Sequence, residues 1–331
     1  MRNVLIHIGY PKCGSTFIQK RVLPGLPGLM LSKSATDERL ASRILNELKK
    51  PDCNAEVIRS EIRNECFIKE KLCPVTKNNC SRCIVSHENL SGLTRSVATG
   101  NEIAHNLKSC YPTAKILIII RNQWDLLESL YTHRISNKGV EWRSLSTFIE
   151  QTVATPEKIG KWRYLELVKL YIRLFGRKNV LILPLEMLET SPQEFLNRIS
   201  TFHCDQSKAC SLITYDGVEK ENRSVKNRKV HLILRVFNFI NMRVTRFIRL
   251  TLSFPRLAYS IRSRFSYFLQ YVIQPVVLRI FTAKYSLTER ERMLKKRIRS
   301  FYEVSNRELS IIVGIELSNF NYYEDEGRPE S

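Results

Sequence analysis

A chain of 331 residues, 43% hydrophobic and 26% charged, can bury a full core, which excludes a disordered or fibrous polymer. The charge is far from balanced: 53 Lys and Arg stand against 32 Asp and Glu, a net +21. Such an excess implies an anionic partner, whether nucleotide, acidic polymer, nucleic acid or membrane surface.

In chain order, Val4-Leu5-Ile6-His7-Ile8 comes first, a short apolar run that reads as a buried strand. No basic n-region followed by an apolar h-region precedes it, an arrangement that predicts a cytoplasmic protein. Gly9, Pro11 and Gly14 break the run, and Ser15-Thr16 opens a helix. A strand, a glycine-containing loop and a helix start gather backbone N–H groups that have no helical partner, and the helix dipole adds partial positive charge. Lys12 and the hydroxyls of Ser15 and Thr16 supply further donors, so the stretch suits a phosphate-like anion. It is not the ATP and GTP loop G-x-x-x-x-G-K-[ST]. Gly9 and Gly14 have the spacing, but Ser15 stands where lysine is required.

A loop at Pro24-Gly25-Leu26-Pro27-Gly28 leads to helical patterns over 37–48 and 55–69. Cys66, Cys73, Cys80 and Cys83 cluster, but their x6-x6-x2 spacing is not a usual paired zinc spacing; together with the other cysteines they read as mostly reduced thiols. Residues 83–90 read as a short strand ending in His87 and Glu88, with a turn at Ser91-Gly92. In open α/β sheets the carboxyl ends of strands line the ligand crevice, a position suited to acid–base work. A helix over 101–111 precedes Lys115–Ile120, the most strand-like run of the chain, which ends in Arg121. Ser129 follows eight residues later on the next helix. A guanidinium at a strand end and a hydroxyl two turns into a helix can grip one phosphate from two sides. Helices over 145–153 and 161–175, a strand over 179–183, and Pro184-Leu185-Glu186-Met187-Leu188 with a helix through 202 complete the alternation. Strands alternating with helices imply a mainly parallel sheet covered on both faces.

From Asn222 to Thr288 there is no acidic residue, while 13 Lys or Arg occur among many Phe, Ile, Leu, Val and Tyr. Arg235, Arg243, Arg246 and Arg249 fall on one broad face of a helical wheel. The segment reads as a basic amphipathic helical insertion over 225–286, suited to peripheral contact with an anionic membrane surface. A lid over an acidic or lipid-linked acceptor and an oligomer contact are the other readings. No nucleic-acid recognition module is present, and charge alone does not specify one. Phe265 to Leu278, the longest uncharged run, is too short to span a bilayer.

Pro11-Lys12-Cys13-Gly14-Ser15-Thr16 directly after the first strand, followed by Phe17, is similar to the 5′-phosphosulfate loop P-K-x-G-[ST]-[ST] of PAPS-dependent sulfotransferases. Arg121 and Ser129 match the family's 3′-phosphate motif. The chain resembles this family, in its bacterial carbohydrate and cytosolic-type branch, over 3–202 and 287–323. The resemblance implies a single domain over 1–331 with a P-loop-NTPase-like, three-layer α/β fold. It also implies sulfuryl transfer from PAPS to a hydroxyl, less often an amine, of a carbohydrate or glycolipid, with PAP released and no metal needed. Lys12 would stabilise developing charge, with His87 or Glu88 as base; Val85-Ser86 replace the Lys-Thr that precedes the family's histidine. Arg223, Lys226 and Arg228 would belong to the basic loop that folds over the 3′-phosphate. A nucleotide-dependent kinase and a non-catalytic, membrane-associated binding protein on the same fold are the alternatives.

Overall fold

The computed structural model describes residues 3–26, 29–32, 38–72, 82–87, 89–92, 97–136, 141–204 and 287–324, with 232–236, 238–240, 242–243, 260, 264, 267 and 268. Glu88, Arg223, Lys226 and Arg228 lie outside the described residues, as do Cys73, Cys80 and most of the basic insertion.

The strands are β1 (Asn3–Gly9), β2 (Leu29–Ser32), β3 (Arg82–His87), β4 (Lys115–Ile120) and β5 (Val180–Pro184). The helices are α1 (Ser15–Phe17), which continues as a π turn over Ile18–Val22, α2 (Glu38–Leu48), α3 (Ala55–Leu72), α4 (Val97–Cys110) and α5 (Gln123–Ser136). After these come α6 (Leu145–Thr152), α7 (Pro156–Gly160), α8 (Tyr164–Phe175), α9 (Met187–Thr190), α10 (Pro192–Cys204) and α11 (Glu289–Val313).

The strands form one sheet in the order β2-β3-β1-β4-β5, and every pairing is parallel. Sequence patterning predicts four of the five. β2 is the addition: it is four residues long and owes its extended form to pairing with β3, Leu29 opposite Cys83 through Ser32 opposite Ser86. Ile116 to Ile120 of β4 are all fully buried. Alternate side chains of a strand point to opposite faces, so burial of consecutive residues means that both faces of the sheet are covered.

The connections set the place of the site. From β1 the chain crosses to β2 on one side of the sheet, and from β4 it crosses to β5 on the other. β1 and β4 are neighbours, so the crossovers part between them and leave a crevice at their carboxyl ends. The loop 10–14 and Arg121 both emerge there.

Contacts divide the chain into two compact units, Met1–Asn122 with Gly160–Glu221 and Ser300–Ser331, and Gln123–Ile159 with Asn222–Arg299. The first holds the whole sheet. Within it α8 packs on β4, β5 and α4, and α10 packs on β5. Asn106 of α4 donates to Leu48 O at 3.0 Å and Lys50 O at 2.9 Å, tying α4 to the end of α2. In the second unit Tyr131 of α5 packs on Phe148 of α6 with ring centres 5.6 Å apart and donates to Arg143 O. Glu141 is fully buried there, held by Arg143 through Nε and Nη2, both at 2.7 Å.

Candidate active site

Past Gly9 the loop closes on itself: Cys13 N–H donates to Tyr10 O at 3.3 Å, and Ile18 N–H to Gly14 O at 3.0 Å. Two of its residues occupy the left-handed region, Gly14 at φ 72 and Lys12 at φ 65. For a residue with a Cβ this conformation costs about 1–2 kcal/mol, so neighbouring groups must hold it. Arg121 supplies one hold. Its Nη1 donates to Lys12 O at 3.0 Å, from the end of β4 to the loop after β1. A turn of this shape gathers successive N–H groups on its concave side, the arrangement that binds anions. Gly14 faces a second constraint, because a Cβ there would stand 2.6 Å from Leu185 Cδ1.

The backbone behind Arg121 is clamped from several directions. Arg121 O accepts from the Tyr164 hydroxyl at 2.6 Å, and Tyr164 meets Tyr10 edge-on with ring centres 4.8 Å apart. Burial raises the hydroxyl pKa of both tyrosines well above the ordinary range, so both stay protonated. Asn122 N–H donates to Glu186 Oε1 at 2.7 Å, Tyr322 donates to Glu186 Oε2 at 3.1 Å, and Asn122 Nδ2 donates to Asn321 O. The Pro184-Leu185-Glu186 element thus supports both the loop and the end of β4: Leu185 lies against Gly14 and Glu186 fixes Asn122.

Inside the loop, Cys13 is fully buried and burial pushes its thiol up. Ser15 is also buried, its hydroxyl 3.5 Å from Tyr10 O, whereas Thr16 is exposed and Pro11, Lys12, Gly14 and Phe17 are half-buried. The helix expected after Gly14 is a single α turn that widens into the π turn. Such widened turns recur at functional sites. Here Gln19 reaches down from it to donate to Ser86 Oγ at 3.1 Å, and Ser86 Oγ lies 2.7 Å from His7 Nδ1. Burial lowers the His7 pKa to about 4, which keeps the ring neutral. Sequence patterning gives no sign of this three-residue link, because His7 and Ser86 meet only through the register of β1 on β3.

His87 ends β3, half-buried, and its Nδ1 accepts the Asn89 N–H at 3.1 Å. That bond places the proton of a neutral imidazole on Nε2, so in this tautomer Nε2 donates. Proton uptake at either ring nitrogen therefore requires the Asn89 contact to open, because an Nδ1 that carries a proton cannot accept the Asn89 N–H. Ser129 lies half-buried on α5, in the second unit. Among the described residues no three His, Cys, Asp or Glu converge to hold a metal, and no described helix is long and apolar enough to cross a membrane. Cys13, Cys53, Cys83 and Cys110 are free thiols, while Cys204 is disulfide-bonded, an exception to the reduced state expected from the sequence.

An all-parallel α/β sheet, an anion-type loop after its central strand and an arginine at the end of the neighbouring strand define a P-loop-NTPase-like protein that lacks the NTPase lysine. Residues 2–249 match the family model described as Sulfotransferase domain, and the chain belongs to the PAPS-dependent sulfotransferases. Among solved structures, a sulfotransferase from Alicyclobacillus acidocaldarius is similar at 16% identity and a TM-score of 0.51, covering 97% of this chain and 99% of that one. At this distance the likeness carries the fold. The sulfotransferase domain of the Synechococcus PCC 7002 olefin synthase also aligns, at 15% identity and a TM-score of 0.37, over 60% of this chain and 72% of that one. Mouse sulfotransferase SULT7A1, solved in complex with PAP, aligns at 16% identity and a TM-score of 0.37, over 73% of this chain and 67% of that one. No curated protein matches the sequence.

Proposed function

We propose that this sulfotransferase moves the sulfuryl group of PAPS to a hydroxyl, less often an amine, of a carbohydrate or glycolipid, within a single domain carrying a basic insertion over 225–286. The observation that carries the donor assignment is the bond from Arg121 to Lys12 O, which joins the two phosphate motifs at the switch point and holds Lys12 left-handed. PAPS supplies an activated sulfuryl group on a phosphate leaving group. Pro11, Lys12, Cys13, Gly14, Ser15, Thr16 and Phe17 form the loop around the 5′-phosphosulfate. Lys12 and the loop N–H groups stabilise charge on the sulfuryl and bridging oxygens as the bond to the 5′-phosphate breaks. Arg121 and Ser129, with Arg223, Lys226 and Arg228, hold the 3′-phosphate that separates PAPS from ATP. His87 or Glu88 takes the acceptor proton as the acceptor oxygen bonds to sulfur. The protein is cytoplasmic in this reading, with peripheral contact to the inner face of the membrane.

Calorimetry with PAP and with Mg-ATP tests the donor. The expectation is PAP binding, no ATP binding, and a loss of PAP affinity of roughly a hundredfold in Arg121→Ala, as for removal of a charge-assisted pair. Arg121→Lys, compared at equal melting temperature, separates lost recognition from a collapsed loop. ATP binding without PAP binding overturns the reading.

A further inference from the structure

The helical residues 232–236 and 238–240 reverse the usual pattern of a surface helix. Leu234 and Asn238 face inward, and Asn238 Nδ2 donates to Ile135 O at 3.0 Å and to Glu141 O at 2.7 Å. Facing outward are Leu232, Val236, Phe239 and Ile240, between 37% and 55% exposed, with Met242 beyond them. Leu232, Val236 and Phe239 recur at helical spacing, with Arg243 one turn further on, so these exposed apolar groups form one ridge ending in a guanidinium. Asn238 and Leu234 anchor the helix while Leu232, Val236, Phe239 and Ile240 meet water, the mark of a surface meant to be covered.

The groups beside the ridge identify what covers it. Trp142 stands next to Phe239, ring centres 5.7 Å apart, and is itself 39% exposed. Arg235 Nε donates to Trp142 O at 3.0 Å, and the Arg243 guanidinium lies 5.1 Å from the Phe239 ring centre. Across 222–288 the chain carries 13 Lys or Arg and no acid. An acidic polymer would answer the charge and leave the ridge wet. A bilayer interface answers both: aliphatic groups enter the acyl boundary, the indole sits at headgroup depth and the guanidiniums meet lipid phosphates.

We infer that the Trp142–Phe239 ridge, with Arg235 and Arg243, is a docking surface for an anionic membrane. This deepens the functional reading above, on which it rests only for the purpose of bringing the enzyme to lipid-borne acceptors. The chain supplies its own probe: of three tryptophans, Trp124 and Trp162 are 3% and 8% exposed, which leaves Trp142 to report the interface. Vesicles of phosphatidylcholine mixed with phosphatidylglycerol are expected to shift the emission of the full chain to the blue. Brominated lipid should quench it, phosphatidylcholine alone should do neither, and added salt should weaken the response. Val236→Glu with Phe239→Glu should lower vesicle affinity roughly tenfold or more. Calorimetric PAP binding of the same variant should be unchanged, which confirms its fold and keeps this test separate from that of the donor. No response to anionic vesicles, or equal binding by the variant, overturns the inference. So does a vesicle-free dimer in light scattering that the variant dissolves, which would assign the ridge to a second copy of the chain.

Discussion

His7 is the residue with the clearest consequence for pH. It is fully buried in β1, its Nδ1 lies on Ser86 and its Nε2 finds no hydrogen-bond partner. Burial lowers its pKa from 6.5 to about 4, so between these values the unfolded chain binds a proton that the folded chain refuses. The stability that neutral His7 lends is therefore complete above pH 6.5 and is lost as pH falls toward about 4. The loss is on the order of 3 kcal/mol. His7→Phe, which fills similar space and cannot titrate, should flatten the stability–pH curve in that window by a comparable amount, measured by urea unfolding. Equal slopes for variant and parent would show that His7 takes up no proton on unfolding. At the same scale, Lys12 was legible from sequence as a loop cation. Its left-handed backbone was not, because that conformation is imposed by Arg121 from 109 positions away.

Elements differ in how plainly the sequence declares them. β4 and β5 are continuous apolar runs, β1 is one interrupted only by His7, and the β4–Arg121 motif is local, so all could be placed from patterning. β2 has no pattern of its own and depends on β3. The π turn depends on Gln19 reaching Ser86 on a strand that comes 67 positions later. The clamp on Asn122 draws on Glu186, Asn321 and Tyr322, which no spacing rule connects. Another long-range fastening ends α11. Arg177, between α8 and β5, donates to Ile312 O at 3.1 Å, Val313 O at 3.3 Å and Val180 O at 2.9 Å. It satisfies last-turn carbonyls of α11 and brings positive charge to the negative end of that helix. Arg177→Ala should cost about 1–2 kcal/mol in unfolding free energy, given that the side chain is exposed. Hydrogen exchange should quicken in the last turn of α11 before it does in β4, and Arg177→Lys should recover only part of the loss. Unchanged exchange there would mean that the helix end is held without it.

On the scale of the whole molecule the net charge of +21 governs encounter. A nucleotide with several negative charges is drawn to such a surface from beyond contact, and salt shortens the reach to about 10 Å at 0.1 M. Stopped-flow measurements should show the PAP association rate falling with ionic strength while dissociation changes little. A salt-independent association rate would mean that the charge serves other partners. The hydrogen bond from Arg121 to Lys12 has a further consequence, for the order in which the protein matures. It spans 109 positions, and the bond from Asn122 to Asn321 spans 199. A ribosome that has released β1 and its loop has made that loop without its holds, and the last of them, Asn321, emerges only after roughly three hundred further residues. Contacts of such separation form late and slowly. Nucleotide added during refolding should therefore capture the finished enzyme and do little to guide its early stages.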